Sequence, residues 1–238
     1  MKIAISQFKP KISRDNLDKH INILKKQKDI DLIIFPELSL NGYYLQDKVL
    51  EDSWHIDELS EIAEISNQFD IVVGGAIKER KKFFNSSIYF SKGKVLHQHK
   101  KLHLPNYGMF EEARFFSDGE IIESFETDFG KIVMLVCEDI WRGSTLAILE
   151  KLSPDLIIII SNSPTRGFKN GEIRIVDQWK AILKTASIFS NSKTIFVNRV
   201  GFEDGLGFWG GSMVLDENGD TLIELPLYDE VTQILEII

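Results

Sequence analysis

Three aliphatic runs limit what this chain can fold into. They are Asp31-Leu-Ile-Ile-Phe-Pro-Glu37, Ile132-Val-Met-Leu-Val-Cys137-Glu138 and Leu156-Ile-Ile-Ile-Ile-Ser161-Asn162, and each is apolar on successive residues before it stops at a polar one. A strand with no polar face is stable only where both faces of its sheet are covered, so these runs read as central strands under helical layers. In open α/β sheets, reactive groups gather at the carboxyl ends of the strands, where the chain leaves the core for loops. Glu37, Cys137 and Ser161 stand at such ends.

Strand and helix patterns alternate along the rest of the chain. Strands are expected at Lys2–Phe8, Asp31–Phe35, Ile71–Ile77, Ser87–Phe90, Val95–His99, Lys131–Val136, Leu156–Ile160, Thr194–Asn198, Ser212–Leu215 and Thr221–Leu225. Apolar residues at helical spacing predict helices over Asn16–Lys28, Ser53–Phe69, Trp141–Leu152 and Gly171–Asn191. No Pro-, Ser- or Gly-rich linker divides the chain, so residues 1–238 are expected to form one α/β domain.

Composition excludes several classes. The 43% hydrophobic and 27% charged residues are a globular mixture. A formal net charge of −8 lacks the positive field that a phosphate backbone requires, so nucleic acid is not an expected partner. The single cysteine, Cys137, excludes an internal disulfide and a cysteine-cluster metal site. The first ten residues alternate without the apolar run of a signal peptide, and no aliphatic stretch approaches a membrane span. A cytoplasmic protein with no membrane association is the expectation.

Taken singly, the candidate residues are ambiguous. Cys137 reads either as a small buried hydrophobe or as a thiol at a strand-to-helix elbow, where backbone N–H groups would favour thiolate and hold an oxyanion. Glu37 reads as a capping or ion-paired carboxylate or as a general base, and Lys101 as a solvated lysine or an oxyanion donor. His20 and His55 fall on expected surface helices. His97, His99 and His103 share one segment, where a Cys–His pairing through His103 stays open. Gly205-Leu-Gly207-Phe-Trp-Gly210 matches a dinucleotide fingerprint in letters only, because no strand precedes it and no helix follows. It is expected instead as a loop that lays Phe208 and Trp209 over a pocket.

In combination, the motifs are specific. Phe35-Pro36-Glu37-Leu38-x-Leu40-x-Gly42-Tyr43, then Lys101-x-x-Leu104-Pro105-x-Tyr107-Gly108-x-Phe110-x-Glu112, then Val136-Cys137-Glu138-Asp139-Ile140-Trp141 resemble the nitrilase, or carbon–nitrogen hydrolase, superfamily over nearly the whole chain. The wording is most similar to the glutaminase domain of glutamine-dependent NAD synthetases. Two departures stand out: no phosphate loop of an ATP-using synthetase is present, and Ser161-Asn162-Ser163-Pro164 matches the glutamine-gripping segment only in part.

The resemblance implies a four-layer α-β-β-α sandwich, a homodimer or larger homo-oligomer, and hydrolysis of a small-molecule carboxamide with no metal or organic cofactor. It implies Glu37 as general base, Cys137 as nucleophile, Lys101 with the Glu138 backbone N–H as oxyanion donors, and Glu112 as the acid that orients Lys101 or substrate. Tyr107, Glu138, Trp141 and Ser163 would border the substrate, and loops 106–118, 163–172 and 202–210 would choose it. Two other functions remain open: a stand-alone glutaminase subunit that supplies ammonia to a separate synthetase, and an inactive binding or scaffold protein.

Overall fold

A computed structural model describes residues 1–169 and 171–237. Asn170, in one of the loops expected to choose the substrate, and Ile238, the last residue of the expected domain, lie outside them. Two six-stranded mixed sheets form the centre. The first runs Val231–Glu236, Lys2–Gln7, Leu32–Ile34, Asp70–Glu79, Lys82–Ser91, Lys94–Lys100. The second runs Thr221–Glu224, Met213–Leu215, Lys193–Asn198, Leu156–Ser161, Gly130–Val136, Ser124–Thr127. The aliphatic runs occupy the parallel middle of each: Leu32–Ile34 lies between Lys2–Gln7 and Asp70–Glu79, and Leu156–Ser161 between Gly130–Val136 and Lys193–Asn198.

Alternation along those strands builds three apolar layers. Ile3, Ile5, Leu32, Ile34 and Val72 of the first sheet meet Ile132, Met134, Val136, Ile158 and Ile160 of the second, closing the sheets face to face. The intervening residues Ala4, Ile33, Phe35, Ile71 and Val73 point the other way, onto Ile21 and Leu24 of helix Asn16–Leu24 and Ile62 and Ile65 of helix Ser60–Ile65. Val133, Leu135, Ile157, Ile159 and Phe196 pack under Leu149 of helix Gly143–Leu152 and Trp179 and Leu183 of helix Arg174–Ser190. The order is helix, sheet, sheet, helix, the expected four-layer sandwich. Among the described residues no helix is long and apolar enough to cross a membrane.

Several elements differ from the sequence expectation. The helix expected over Ser53–Phe69 is a 3-10 turn at Ile56–Leu59 followed by helix Ser60–Ile65. Its first residues are extended, because Trp54 N–H donates to Ala76 O at 2.8 Å and Trp54 O accepts Lys78 N–H at 2.8 Å. Gly205–Gly210 forms part of a hairpin, Val200–Glu203 with Leu206–Trp209, rather than a cover over a pocket. Phe208 and Trp209 are fully buried in it, Trp209 stacking on Phe196. His20 is buried rather than on the surface, with its ring nitrogens against Asn16 O and Ser39 Oγ, and burial brings its pKa down to about 4.

The first sheet positions Glu37 by close backbone approach. Strand Leu32–Ile34 ends, Leu38 takes a left-handed φ of +46°, and the turn lies against Gly74 of the neighbouring strand. A Cβ built on Gly74 would sit 2.5 Å from Pro36 O and 2.6 Å from Leu38 N. Such a contact moves backbone, not a side-chain tip. Gly74→Ala is therefore expected to cost about 1–3 kcal/mol of stability, read as a lower urea midpoint, and to reduce whatever activity depends on Glu37. A midpoint equal to wild type would show that the turn has room to move.

Candidate active site

Glu37 is completely buried at the end of its strand, and each carboxylate oxygen is engaged. Oε1 accepts Lys101 Nζ at 2.7 Å and Asn85 Nδ2 at 2.7 Å, while Oε2 accepts the Asn162 backbone N–H at 2.6 Å. Lys101 follows the edge strand Lys94–Lys100, and its backbone N–H donates to Asn85 O at 2.8 Å. Its ammonium, also buried, donates to Glu112 Oε1 at 2.9 Å and Oε2 at 2.8 Å. Burial works against the charged ammonium, but the Glu112 and Glu37 carboxylates outweigh it and hold the pKa well above that of an ordinary lysine.

Glu112 opens the short helix Glu112–Phe115 and is buried rather than solvated beside Glu111. Burial raises its pKa, Lys101 opposes that, and Glu37 adds to it, leaving the carboxyl at about 7. Tyr43 O–H donates to its Oε1 at 2.9 Å.

Cys137 lies across the inter-sheet layer from this cluster. The strand Gly130–Val136 ends at a sharp elbow, with Cys137 at φ +46° and a 3-10 turn over Cys137–Trp141. This left-handed φ in a non-glycine residue is strain of the kind that accumulates at working sites. The half-buried sulfur accepts Ser161 Oγ–H at 3.3 Å from the parallel neighbour. Ser161 adjoins Asn162, whose N–H binds Glu37, so one strand end touches both the sulfur and the carboxylate. The expected thiolate is not what these surroundings favour. Burial, then the Glu37 carboxylate, pushes the Cys137 pKa far up, and Lys101 and the Ser161 hydroxyl only partly oppose it. These surroundings favour the neutral thiol over the thiolate.

One residue ties the two sheets' contributions together. Asp139 Oδ1 accepts the backbone N–H groups of Leu102 at 3.0 Å and His103 at 2.9 Å, just after Lys101. Its Oδ2 accepts Val136 N–H at 3.0 Å, just before Cys137, and lies 2.8 Å from His99 Nε2. Burial alone would raise the Asp139 pKa, but His99 and these N–H donors bring it below the usual aspartate value. His99 is thus a buried partner of Asp139 and not a solvated edge residue, and His103 joins the site through its backbone.

A narrow cleft opens onto the sulfur, bordered by Tyr43, Glu112, Cys137 and Asn162 and by all four expected substrate neighbours, Tyr107, Glu138, Trp141 and Ser163. Tyr107 O–H donates to Glu138 Oε2 at 2.9 Å, and Arg142 Nη2 donates to Glu138 Oε1 at 2.7 Å. Trp141 stands edge-on to Trp179, with centroids 5.1 Å apart. Ser163 Oγ accepts the indole N–H groups of Trp179 at 2.8 Å and Trp209 at 3.1 Å, which uses its lone pairs and leaves its own proton to donate.

Sequence reasoning missed Tyr43, Asn85, Asp139, Asn162 and Arg166, the last of which also borders the cleft. The one hint for Asn85 is an amide between the apolar pairs Phe83-Phe84 and Ile88-Tyr89, which needs a partner if that segment is buried. Among the described residues no group of three or more His, Cys, Asp or Glu side chains is arranged to hold a metal ion.

Comparison with known proteins identifies the family. The family model described as carbon-nitrogen hydrolase matches residues 2–237. A glutamine-dependent NAD(+) synthetase of Acinetobacter baylyi is 31% identical over 96% of this chain and 42% of its own length. The chain thus spans less than half of that relative. The structure of the glutamine-dependent NAD+ synthetase from Acinetobacter baumannii superposes with a TM-score of 0.87 at 31% identity, over 98% of this chain and 44% of that one. A carbon-nitrogen hydrolase from Helicobacter pylori G27 shares the fold along most of both chains, with a TM-score of 0.88 at 23% identity, covering 98% and 88%. The chain belongs to the carbon–nitrogen hydrolase family.

Proposed function

We propose that the protein hydrolyses a small carboxamide through a thioester on Cys137, with Glu37 as general base and Lys101 as electrostatic donor. The observation that carries this reading is the unbroken path from Glu112 through Lys101 to Glu37 and, by way of the Ser161–Asn162 strand end, to a strained cysteine facing a cleft.

The neutral thiol sets the order of events. Substrate binding brings a carbonyl carbon to the sulfur, and Glu37 takes the thiol proton as the C–S bond forms and the carbonyl π electrons move to oxygen. Lys101 Nζ and the Glu138 backbone N–H hold that oxyanion, an interaction stronger in the transition state than in the bound substrate. The pair on oxygen returns, the C–N bond breaks, and the proton held by Glu37 goes to the departing nitrogen. Water then gives a proton to Glu37 and attacks the thioester. Collapse breaks the C–S bond, and the sulfur regains its proton. Glu112 keeps Lys101 charged and directed while the charge on Glu37 changes.

A second reading is favoured by a specific observation. The relatives quoted above at 31% identity are glutamine-dependent synthetases, and this chain spans less than half of each. The rim of the cleft carries Glu138 and Arg166, opposite charges suited to the ammonium and carboxylate of an amino-acid amide. In this reading the amide is glutamine, and the ammonia passes to a separate synthetase. One domain over residues 1–238, self-association and a cytoplasmic setting belong to the same proposal.

Intact-mass measurement during turnover of a panel of primary amides, glutamine included, tests the reaction. An acyl adduct on Cys137 is expected in wild type and absent in Cys137→Ala. Failure to see adduct or product across the panel would favour a binding protein that kept the fold. Glu37→Gln preserves shape and is expected to lower turnover on the order of 10²–10⁴-fold. Lys101→Met is expected to lose turnover and about 3–5 kcal/mol of stability, since two buried carboxylates lose their cation. Iodoacetamide distinguishes a resting thiol from a thiolate: labelling of Cys137 should be slower than that of free cysteine near neutral pH and accelerate toward alkaline pH. Fast labelling at pH 7 would mean the sulfur ionises without substrate.

A further inference from the structure

A second buried ion pair lies behind the site, outside the reaction described above. Arg199 follows strand Lys193–Asn198 and is completely buried. Its guanidinium lies 4.2 Å from the centroid of the Phe208 ring, Nη1 is 3.1 Å from Glu203 Oε2, and Nη2 donates to Pro10 O at 3.3 Å. Neither its Nε nor its Nη1 has a hydrogen-bond partner among the described residues, so Nη1 and Glu203 meet as an ion pair only. A buried charge pair with an incomplete set of partners is costly, and replacing such a pair by apolar side chains is often neutral or stabilising. Packing alone therefore does not account for it.

What the pair holds is the turn that carries Tyr43. Glu203 Oε1 accepts two consecutive backbone N–H groups, Tyr43 at 2.7 Å and Tyr44 at 2.9 Å. The approach requires Gly42, which has φ +86°; a Cβ there would meet Lys11 O at 2.6 Å and Glu203 Oε2 at 3.0 Å. From that turn the Tyr43 ring, packed edge-on against Phe208 and Tyr44, reaches Glu112 Oε1 at 2.9 Å. Oε1 is one of the two oxygens that clasp Lys101.

We propose that Tyr43 is a positioning residue for the Lys101–Glu112 pair, and that the side-chain oxygen of Glu203, its buried charge balanced by Arg199, serves to hold Tyr43 at that carboxylate. The proposal rests on the hydrolase reading and deepens it, tracing the direction of the catalytic lysine to a pair of residues that do not border the cleft. Glu112 is faced by Lys101, Glu37, Tyr43, Tyr44 and the Cys137 thiol. Among these, Lys101 and the Tyr43 hydroxyl favour its ionised form, and Glu37 opposes it. Without the hydroxyl, Glu112 holds its proton to higher pH, and Lys101 loses one of its two anionic partners over that interval.

An activity that needs ionised Glu112 is present above the pKa of that group and is lost as pH falls through about 7. Tyr43→Phe removes one oxygen and keeps the ring. The acid limb of kcat/KM for a primary amide is expected to move up by about one pH unit, a loss of about tenfold on the acid side. KM should stay unchanged, and activity should return at alkaline pH. Glu203→Ala should move the limb the same way. The double variant Arg199→Met/Glu203→Gln, which drops the buried charges but leaves an amide oxygen for the two N–H groups, should restore it.

A Tyr43→Phe protein that melts like wild type and keeps the wild-type limb overturns the proposal, as does an equal loss at every pH. If wild type cleaves no amide, the hydrolase reading fails separately. The pH profile of Cys137 alkylation by iodoacetamide then decides this one, because the inflection imposed by Glu112 moves in Tyr43→Phe or it does not.

Discussion

The site depends on keeping one ammonium between two carboxylates in a buried place, shielded from bulk solvent. A lone buried lysine gives up its proton, and a lone buried glutamate takes one, because each charge is held in a medium that solvates it poorly. Lys101 stays charged because Glu37 and Glu112 both bind it. The carboxylates stay in place because each has a further donor: Asn85 and the Asn162 N–H for Glu37, the Tyr43 hydroxyl for Glu112. One positive against two negative groups leaves the cluster with an excess of negative charge. Burial raises both Glu112 within the cluster and the thiol of Cys137 beside it, and the Glu37 charge adds to each.

Such a cluster is useful only if its parts, brought from both sheets, are held in fixed relation. Asp139 supplies the mechanical link. It gathers N–H groups on the Lys101 side of the inter-sheet layer and on the Cys137 side with a single carboxylate. His99 fills its remaining lobe. A shift of either strand end would break bonds to the same buried anion, so the strained Cys137 elbow and the lysine move together or not at all. Gly74 does a similar service for Glu37 by letting backbone touch backbone.

The layers were legible because strands buried on both faces must be apolar at every position, a pattern few other structures produce. The Leu156-Ile-Ile-Ile-Ile160 run carries that message unaided. Edge strands carry it unevenly: Lys94–Lys100 and Thr221–Glu224 match expected strands, but two others do not. Ser124–Thr127 and Val231–Glu236 have largely polar or partly exposed residues and became visible only through their pairing. Helical periodicity over Ser53–Phe69 was real from Ile56 onward, but Trp54 was claimed by a strand that the sequence does not bring near it. In the site, Glu37, Lys101 and Cys137 were legible as a combination of motifs, whereas their supports were not. Tyr43 meets Glu203 across 160 positions and Asn162 meets Glu37 across 125, and neither separation leaves a local trace. The histidines went astray for the same reason, since burial and a partner decide what a histidine does.

The high resting pKa of Cys137 has a consequence for how such a site is controlled. A standing thiolate would react with any electrophile that entered the cleft, and its charge would be repelled by the carboxylates a few side chains away. A neutral thiol avoids both difficulties, at the cost of needing its proton removed during attack. Under the proposed reaction, the negative charge that leaves the sulfur's electron pair ends on the carbonyl oxygen, where Lys101 can receive it, while Glu37 becomes neutral on accepting the proton. The excess negative charge of the resting cluster thereby falls as the oxyanion forms. The surroundings that disfavour a free thiolate are thus better matched to the transition state than to the resting enzyme, which is the condition for accelerating the reaction of a bound amide rather than merely holding it.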